Sequence, residues 1–200
     1  MAARSELILG GQRSGKSRRA ELLARDWLAQ SPGHKAVLIA TATACDDEMG
    51  ERIARHQQDR AERVPGMLTA EEPINLGEAV RTHSNPQTLV VVDCLTLWLT
   101  NLLMPHRNAD NAEIGQKILS NKPAAQHVQA QAAILLIAIN NALGPVVLVG
   151  NEIGLGVIPM GRETRDFVDA LGHLNQEIAA ACERVTFMAA GLPLTLKGRT

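Results

Sequence analysis

Tyrosine is absent from this chain of 200 residues, and phenylalanine and tryptophan occur twice each. So few aromatics exclude the stacking platforms by which single-stranded nucleic acids are held. An excess of either charge is also missing. The 20 basic and 21 acidic side chains leave a formal net charge of −1, so no global field draws the chain to nucleic acid or to anionic lipid. Cysteines are few, at Cys45, Cys94 and Cys182. They are odd in number, widely spaced and form no C-x-x-C pair, which argues against a disulfide framework and against a zinc site. Long apolar runs are lacking as well, since stretches such as 132–139 fall far short of the ~20 residues of a membrane span. The first strand is reached by residue 7, which leaves no room for a signal peptide, and a cytoplasmic protein is expected. What is present is 46% hydrophobic residues, enough for one domain over 1–200 with a sizeable core.

The most informative stretch is Gly10-Gly11-Gln12-Arg13-Ser14-Gly15-Lys16-Ser17, which fits the phosphate-binding loop G-x-x-x-x-G-K-[ST]. Leu7-Ile8-Leu9 before it reads as a buried strand. The run 17–30 after it reads as a helix with apolar positions at Ala20, Leu23, Ala24, Trp27 and Leu28. Strand, glycine loop and helix together let backbone N–H groups wrap a phosphate at a helix N-terminus, where the dipole favours negative charge. Lys16 would reach the terminal phosphates, and the Ser17 hydroxyl would ligate Mg²⁺.

Further apolar runs at 36–40, 89–93, 146–149 and 185–188 predict strands, with 192–196 as a last short edge strand after Gly191. Helices are predicted over 46–60, 77–82, 95–103, 125–143 and 163–182. The early strands are apolar without alternation, as expected where helices cover both faces of a parallel sheet. The fold expected is α/β, of the P-loop NTPase type (RecA-like): a mostly parallel sheet flanked by helices, with a short C-terminal edge strand. Residues 105–123 are polar and irregular and read as a surface excursion. Ligands of such sheets bind at the carboxyl ends of the strands. Small or polar residues stand at four of these ends: Gly10, Thr41-Ala42-Thr43, Asp93 and Asn151-Glu152.

Asp93 closes a Val-Val-Val-Asp run. A carboxylate there either completes a Mg²⁺ shell opposite Ser17 or caps the helix that begins near Leu95. Within 46–60, Arg52, His56 and Arg60 recur every four residues and so lie along one side of a helix. One reading is a phosphate-handling face, with guanidiniums holding oxygens and a neutral imidazole attacking phosphorus. The other is a solvated helix laced with ion pairs. His34, His83, His106, His127 and His173 have no comparable setting. Arg162, Arg165 and Asp166 open the last long helix. They either face the glycine-punctuated segment 151–159 or are helix-start charges in solvent.

In order along the chain stand the glycine loop, Ile39-Ala40-Thr41-Ala42, Asp47-Glu48-Met49 with Arg52-Ile53, His56 and Arg60, and Thr69-Ala70-Glu71-Glu72-Pro73. They are followed by Val92-Asp93-Cys94-Leu95-Thr96-Leu97-Trp98, Asn151-Glu152-Ile153-Gly154-Leu155-Gly156-Val157-Ile158-Pro159, Arg165-Asp166-Phe167, Asn175-Gln176 and Gly191-Leu192-Pro193-Leu194. This series resembles the bifunctional adenosylcobinamide kinase/adenosylcobinamide-phosphate guanylyltransferase family over nearly the whole chain. The chain has Met67-Leu68 where that family usually carries a tryptophan, and Gln12 where it often has alanine. The resemblance implies that a nucleoside triphosphate phosphorylates adenosylcobinamide, and that GMP from GTP then passes to the phosphate through a covalent phosphoramidate on a histidine. It places that nucleophile on His56. It places nucleotide contacts on Gly10, Gly11, Gln12, Arg13, Ser14, Gly15, Lys16 and Ser17, on Ala40, Thr41 and Ala42, on Gln57, Gln58, Asp59 and Arg60, and on Glu71 and Asp93. Catalysis would rest on His56 and Lys16, and Mg²⁺ on Ser17 and Asp93. The partners implied are adenosylcobinamide, its phosphate, ATP and GTP, with no nucleic acid and no membrane span. A homo-oligomer, a trimer, is implied in the same way.

Two other functions compete. A small-molecule kinase with the same loop would need no covalent step. A GTP-dependent switch is disfavoured because Asp93-Cys94-Leu95-Thr96 lacks the D-x-x-G pattern, and because Asn121-Lys122-Pro123-Ala124 lacks the aspartate of the guanine-reading N-K-x-D.

Overall fold

A computed structural model describes residues 3–43, 47–104 and 122–198; the side chains of residues 47–49, 52, 53, 56 and 122–124 lie outside that description, as does most of the expected excursion at 105–123. Along the chain run β1 (Ser5–Gly10), α1 (Lys16–Gln30), β2 (Lys35–Ala40), α2 (Asp47–Arg63), β3 (Leu68–Glu71), α3 (Leu76–His83), β4 (Thr88–Asp93) and α4 (Leu95–Leu103). After the gap come α5 (Lys122–Asn140), β5 (Val146–Val149), α6 (Arg162–Ala181), β6 (Arg184–Ala189) and β7 (Leu192–Lys197). The strands form one sheet in the order β3-β2-β4-β5-β1-β6-β7. Every pairing is parallel except β6 with β7. The α/β class, the mostly parallel sheet and the C-terminal edge strand are therefore as expected, and the structure adds that this edge strand runs antiparallel.

Alternate residues of the central strands serve opposite faces of the sheet. Leu7, Leu9, Val90, Val92, Val146 and Leu148 pack against Leu76, Val80, Trp98, Leu135, Leu171 and Ile178, which come from α3 to α6. Ile8, Leu38, Val91, Val147 and Val149 pack on the other face against Ala20 and Ala24 of α1 and against Val64. Burial on both sides is why these strands read as unbroken apolar runs. Each such side chain contributes roughly 1.5–3 kcal/mol. One charge is buried in this setting. Glu6 of β1 accepts from Arg19 of α1 at 2.9 Å and from the Thr186 hydroxyl of β6 at 2.8 Å. The pairing offsets its desolvation and ties the first helical turns of α1 to the sheet.

β3 was not expected from the sequence. It lies at the sheet edge, pairs only with β2, and exposes Leu68, Thr69 and Glu71. An edge strand so little covered has no need of the apolar run that marks a buried one. α2 also continues past the expected residue 60. Arg63 bonds Glu21 of α1 and Asp59 of its own helix, each at 3.0 Å. Val64 then enters the core, and Pro65-Gly66, with Gly66 at φ +88°, ends the helix. α5 begins at Lys122 rather than 125, so the helix takes in the last two residues of the expected excursion.

Candidate active site

β1 delivers the chain to Gly10, whose φ is +152°. A Cβ there would stand 2.5 Å from the Met188 carbonyl oxygen and 2.7 Å from Ser14 Oγ, so only glycine fits. The loop turns through left-handed conformations at Arg13 and Gly15 (φ +56° and +100°), and α1 starts at Lys16 without a side-chain cap. Its first N–H groups are thus not engaged by a capping side chain, which is the arrangement that binds anions. The Gly191 N–H, in the turn between β6 and β7, donates to the Ser14 carbonyl at 3.0 Å. That turn is tight because Ala190 and Gly191 are both left-handed (φ +51° and +80°). The last hairpin therefore braces the first loop, a role no sequence pattern announced. Ser14 Oγ is buried and has no hydrogen-bond partner among the described residues. Lys16 is 8% exposed, and its ammonium donates to the Gly11 carbonyl at 2.6 Å.

Register brings the distant strand ends together. Ala40 stands opposite both Glu71 and Asp93, and Asp93 opposite Val149. Glu71, Ala40 and Asp93 thus form one row across β3, β2 and β4. On β5, Val149 also pairs with Ile8, two residues before Gly10. Asp93 does not cap α4: the cap position is Cys94, which makes no side-chain capping bond. Asp93 is half-buried, and its carboxylate lies close enough to Ser17 for the two to interact. Burial raises the Asp93 pKa, while the interaction with Ser17 and then the charges of Arg60 and Lys16 oppose that rise. Burial likewise lowers the pKa of Lys16, against the charge of Asp93. Burial also pushes the Cys94 and Cys182 thiols up to about 11. Neither is a nucleophile near neutral pH.

Thr41 is wholly buried. Its hydroxyl donates to the Cys94 carbonyl and accepts from the Cys94 N–H, each at 2.8 Å. Its carbonyl accepts from Asn101 at 2.8 Å. Thr41 therefore fixes the position of Asp93, while Ala40 and Ala42 on either side of it are partly exposed. Thr41→Val keeps the shape and strands two buried backbone groups. We expect a loss of about 2–4 kcal/mol of unfolding free energy in urea. A change below about 0.5 kcal/mol, the usual scale of an inert surface substitution, would contradict this account.

α2 carries His56, whose ring lies outside the described residues, as do the side chains of Arg52 and Asp47 to Met49. The next turn is described. Gln57 and Gln58 are exposed, and Asp59 and Arg60 are partly buried. The Arg60 guanidinium donates to Thr69 of β3 at 3.3 Å and acts electrostatically on Asp93. His56 is four residues earlier, a rise of about 6 Å along the axis. Elsewhere, His34 Nδ1–H donates to the Trp27 carbonyl (2.8 Å), and the His34 ring stacks on the Trp27 ring at 3.8 Å, a structural role.

Beyond β5 the chain is pinned at once. The Asn151 N–H donates to Thr96 Oγ1 (2.9 Å), its carbonyl accepts from Asn175 Nδ2 (3.1 Å), and the Glu152 N–H donates to the Gly10 carbonyl (3.1 Å). Arg165 holds the far end of this segment, donating to the carbonyls of Pro159 (2.9 Å) and Met160 (2.6 Å). Of the two readings for Arg165, the structure shows the one that faces the loop. Arg162 instead pairs with Asp166 of its own helix, at 3.7 Å.

Comparison with known proteins agrees with this geometry. The family described as cobinamide kinase / cobinamide phosphate guanyltransferase matches residues 6–196. The bifunctional adenosylcobalamin biosynthesis protein CobP of Pseudomonas aeruginosa is 45% identical, with 96% of this chain and 97% of that protein covered. The bifunctional adenosylcobalamin biosynthesis protein CobU of Escherichia coli is 35% identical, covering 96% and 98%. Its namesake from Salmonella typhimurium is 32% identical over the same shares. Among solved structures, the flagellar accessory protein FlaH of Methanocaldococcus jannaschii shares the fold at a TM-score of 0.50 and 11% identity, covering 98% of this chain and 79% of that one. A nucleotide-gripping loop, a half-buried carboxylate at the end of β4 and a match running almost end to end agree: the chain belongs to the cobinamide kinase / cobinamide phosphate guanyltransferase family of enzymes.

Proposed function

We propose that the chain phosphorylates the aminopropanol hydroxyl of adenosylcobinamide with ATP or GTP, and then passes GMP from GTP to that phosphate through a covalent intermediate on His56. In the first reaction the hydroxyl oxygen attacks the γ-phosphorus, the bond to the β,γ-bridging oxygen breaks, and the nucleoside diphosphate leaves. In the second, an imidazole nitrogen of His56 attacks the α-phosphorus of GTP and pyrophosphate leaves. An oxygen of the cobinamide phosphate then attacks the same phosphorus, the N–P bond breaks, and adenosylcobinamide-GDP departs with His56 restored. Splitting one hard displacement into two easier ones is the use of a covalent nucleophile.

The observation that carries this reading is Arg60, one turn beyond His56, whose guanidinium donates to Thr69 of β3, the strand whose Glu71 stands in one row with Ala40 and Asp93. The helix bearing the expected nucleophile is thus held against the edge strand of the row of strand ends that includes Asp93. In this reading, residues 10–17 hold the phosphates through backbone N–H groups, with Ser14 Oγ finding its partner in a phosphate oxygen. Lys16 spreads its charge over the transferring group. Ala40, Thr41, Ala42, Gln57, Gln58, Asp59, Arg60 and Glu71 surround the nucleotide. Ser17 and Asp93 are hard oxygen donors close to one another, and they fit Mg²⁺, which commonly takes one or two protein oxygens and completes its shell with phosphates and water. When bound, Mg²⁺ would neutralise charge developing on the phosphate oxygens. Among the described residues no helix is long and apolar enough to cross a membrane; we place the reaction in the cytoplasm. We also propose a homo-oligomer, a trimer, which light scattering measures directly.

The test is mass spectrometry of the protein after incubation with GTP and Mg²⁺. One GMP should be added to the peptide spanning 46–60. A wild-type chain that phosphorylates cobinamide yet never acquires this mass would leave the simple kinase standing.

A further inference from the structure

We propose that residues 153–160 form the docking face for the corrin macrocycle of the acceptor. This rests on the reading of the reaction given above and adds to it the place where the acceptor's bulk is held.

The segment is unusual in what it shows to water. Leu155 is 77% exposed, Val157 96%, Ile158 77% and Met160 96%. A group of large apolar side chains this exposed marks a binding surface. From Ile153 to Gly161 there is not one charged side chain or side-chain hydrogen-bonding group. Both ends are nonetheless fixed: Asn151 to Thr96 and Asn175, Glu152 to Gly10, and Pro159 and Met160 to Arg165. Fixed ends with an apolar middle describe a strap held ready for a ligand.

Position decides the occupant. The strap leaves the carboxyl end of β5, which lies in the sheet between β1, source of the phosphate loop, and β4, which ends in Asp93. The Glu152 N–H bonds the first residue of that loop. Val157 is five residues further on, so it stands no more than about 18 Å away along the chain. An acceptor whose hydroxyl must meet the γ-phosphate therefore has its remaining bulk within reach of the strap. That bulk is a broad ring with apolar edges, a rim of neutral primary amides, and a flexible aminopropanol arm carrying the hydroxyl. An uncharged apolar surface with adjoining backbone amides is complementary to it. It would hold a nucleotide or an anionic lipid poorly.

The experiment is steady-state kinetics of the full chain with Val157→Ser and Met160→Ser combined, two side chains so exposed that the fold does not depend on them. The KM for cobinamide should rise about tenfold or more, with kcat at saturation within about twofold of wild type. The KM for the nucleotide and the extent of GMP labelling by GTP alone should stay at wild-type values. Calorimetric titration with cobinamide should show a weakening that matches the KM. An unchanged cobinamide KM overturns the proposal. So does a lower mass by light scattering in the variant, because the strap would then join copies of the chain. A wild-type chain that fails to phosphorylate cobinamide overturns the reaction itself, and that result is separate from any result on the strap.

Discussion

Lys16→Ala is expected to remove both activities, lowering kcat/KM for cobinamide phosphorylation and for GMP transfer by about 10³ or more. The reason is the setting of the ammonium. It is 8% exposed, at the mouth of α1, and hydrogen-bonded to the Gly11 carbonyl. In a site shielded from water, a cation aimed at developing phosphate charge stabilises a transition state far more than the same cation in solution. A thousandfold loss corresponds to about 4 kcal/mol of activation energy. Both reactions draw on one phosphate grip, so both should fall together. Burial lowers the Lys16 pKa, so as pH rises the free enzyme loses this charge earlier than an exposed lysine would. The alkaline limb of kcat/KM should accordingly lie below the usual lysine range of about 10.4. Circular dichroism of the variant separates lost chemistry from lost fold. A folded Lys16→Ala enzyme within tenfold of wild type in either reaction would contradict the assignment.

His56→Ala should divide the two reactions. No GMP mass should appear on the 46–60 peptide after GTP treatment, and guanylyl transfer should fall to background. Cobinamide phosphorylation should remain within a few-fold of wild type, because nothing in that step draws on the imidazole. The acid-labile, base-stable character of an N–P bond supplies a second readout in wild type. Equal loss of both activities in a folded variant would point to a structural role for His56 instead. The two substitutions form a pair: one disables the shared grip, the other only the covalent relay.

Much of this was legible in the sequence because the relevant physics is local. Gly10 and Gly15 were marked by a motif whose spacing is fixed by the turn it must make, and β1, β4 and β5 by apolar runs that two covered faces require. β3 was not legible, because an exposed edge strand carries no such run. Nor was the bracing of Ser14 by Gly191, since 177 residues separate the two and only the sheet order brings them together. The two readings of Asp93 were indistinguishable on paper, because carboxylates at strand ends both cap helices and serve metals. The absence of a side-chain cap on α4 removes the capping reading. Thr41 was marked as a contact, but its hydroxyl turns inward to Cys94, a direction that no pattern of letters encodes. The sequence marks the segment 151–159 by its glycines and by its place after a strand end. Its tethering at both ends depends on Thr96, Asn175 and Arg165, which lie on two other elements.

The place of β1 in the sheet bears on how this protein is born. The ribosome makes the glycine loop before either strand that flanks it, since β1 lies between β5 and β6, and the glycine that closes the loop from behind is residue 191. A nascent chain therefore carries its glycine loop through the synthesis of everything between Ser14 and Gly191 before the neighbours that shape it are all made. Long-range pairing of this kind slows folding and leaves strand edges bare meanwhile.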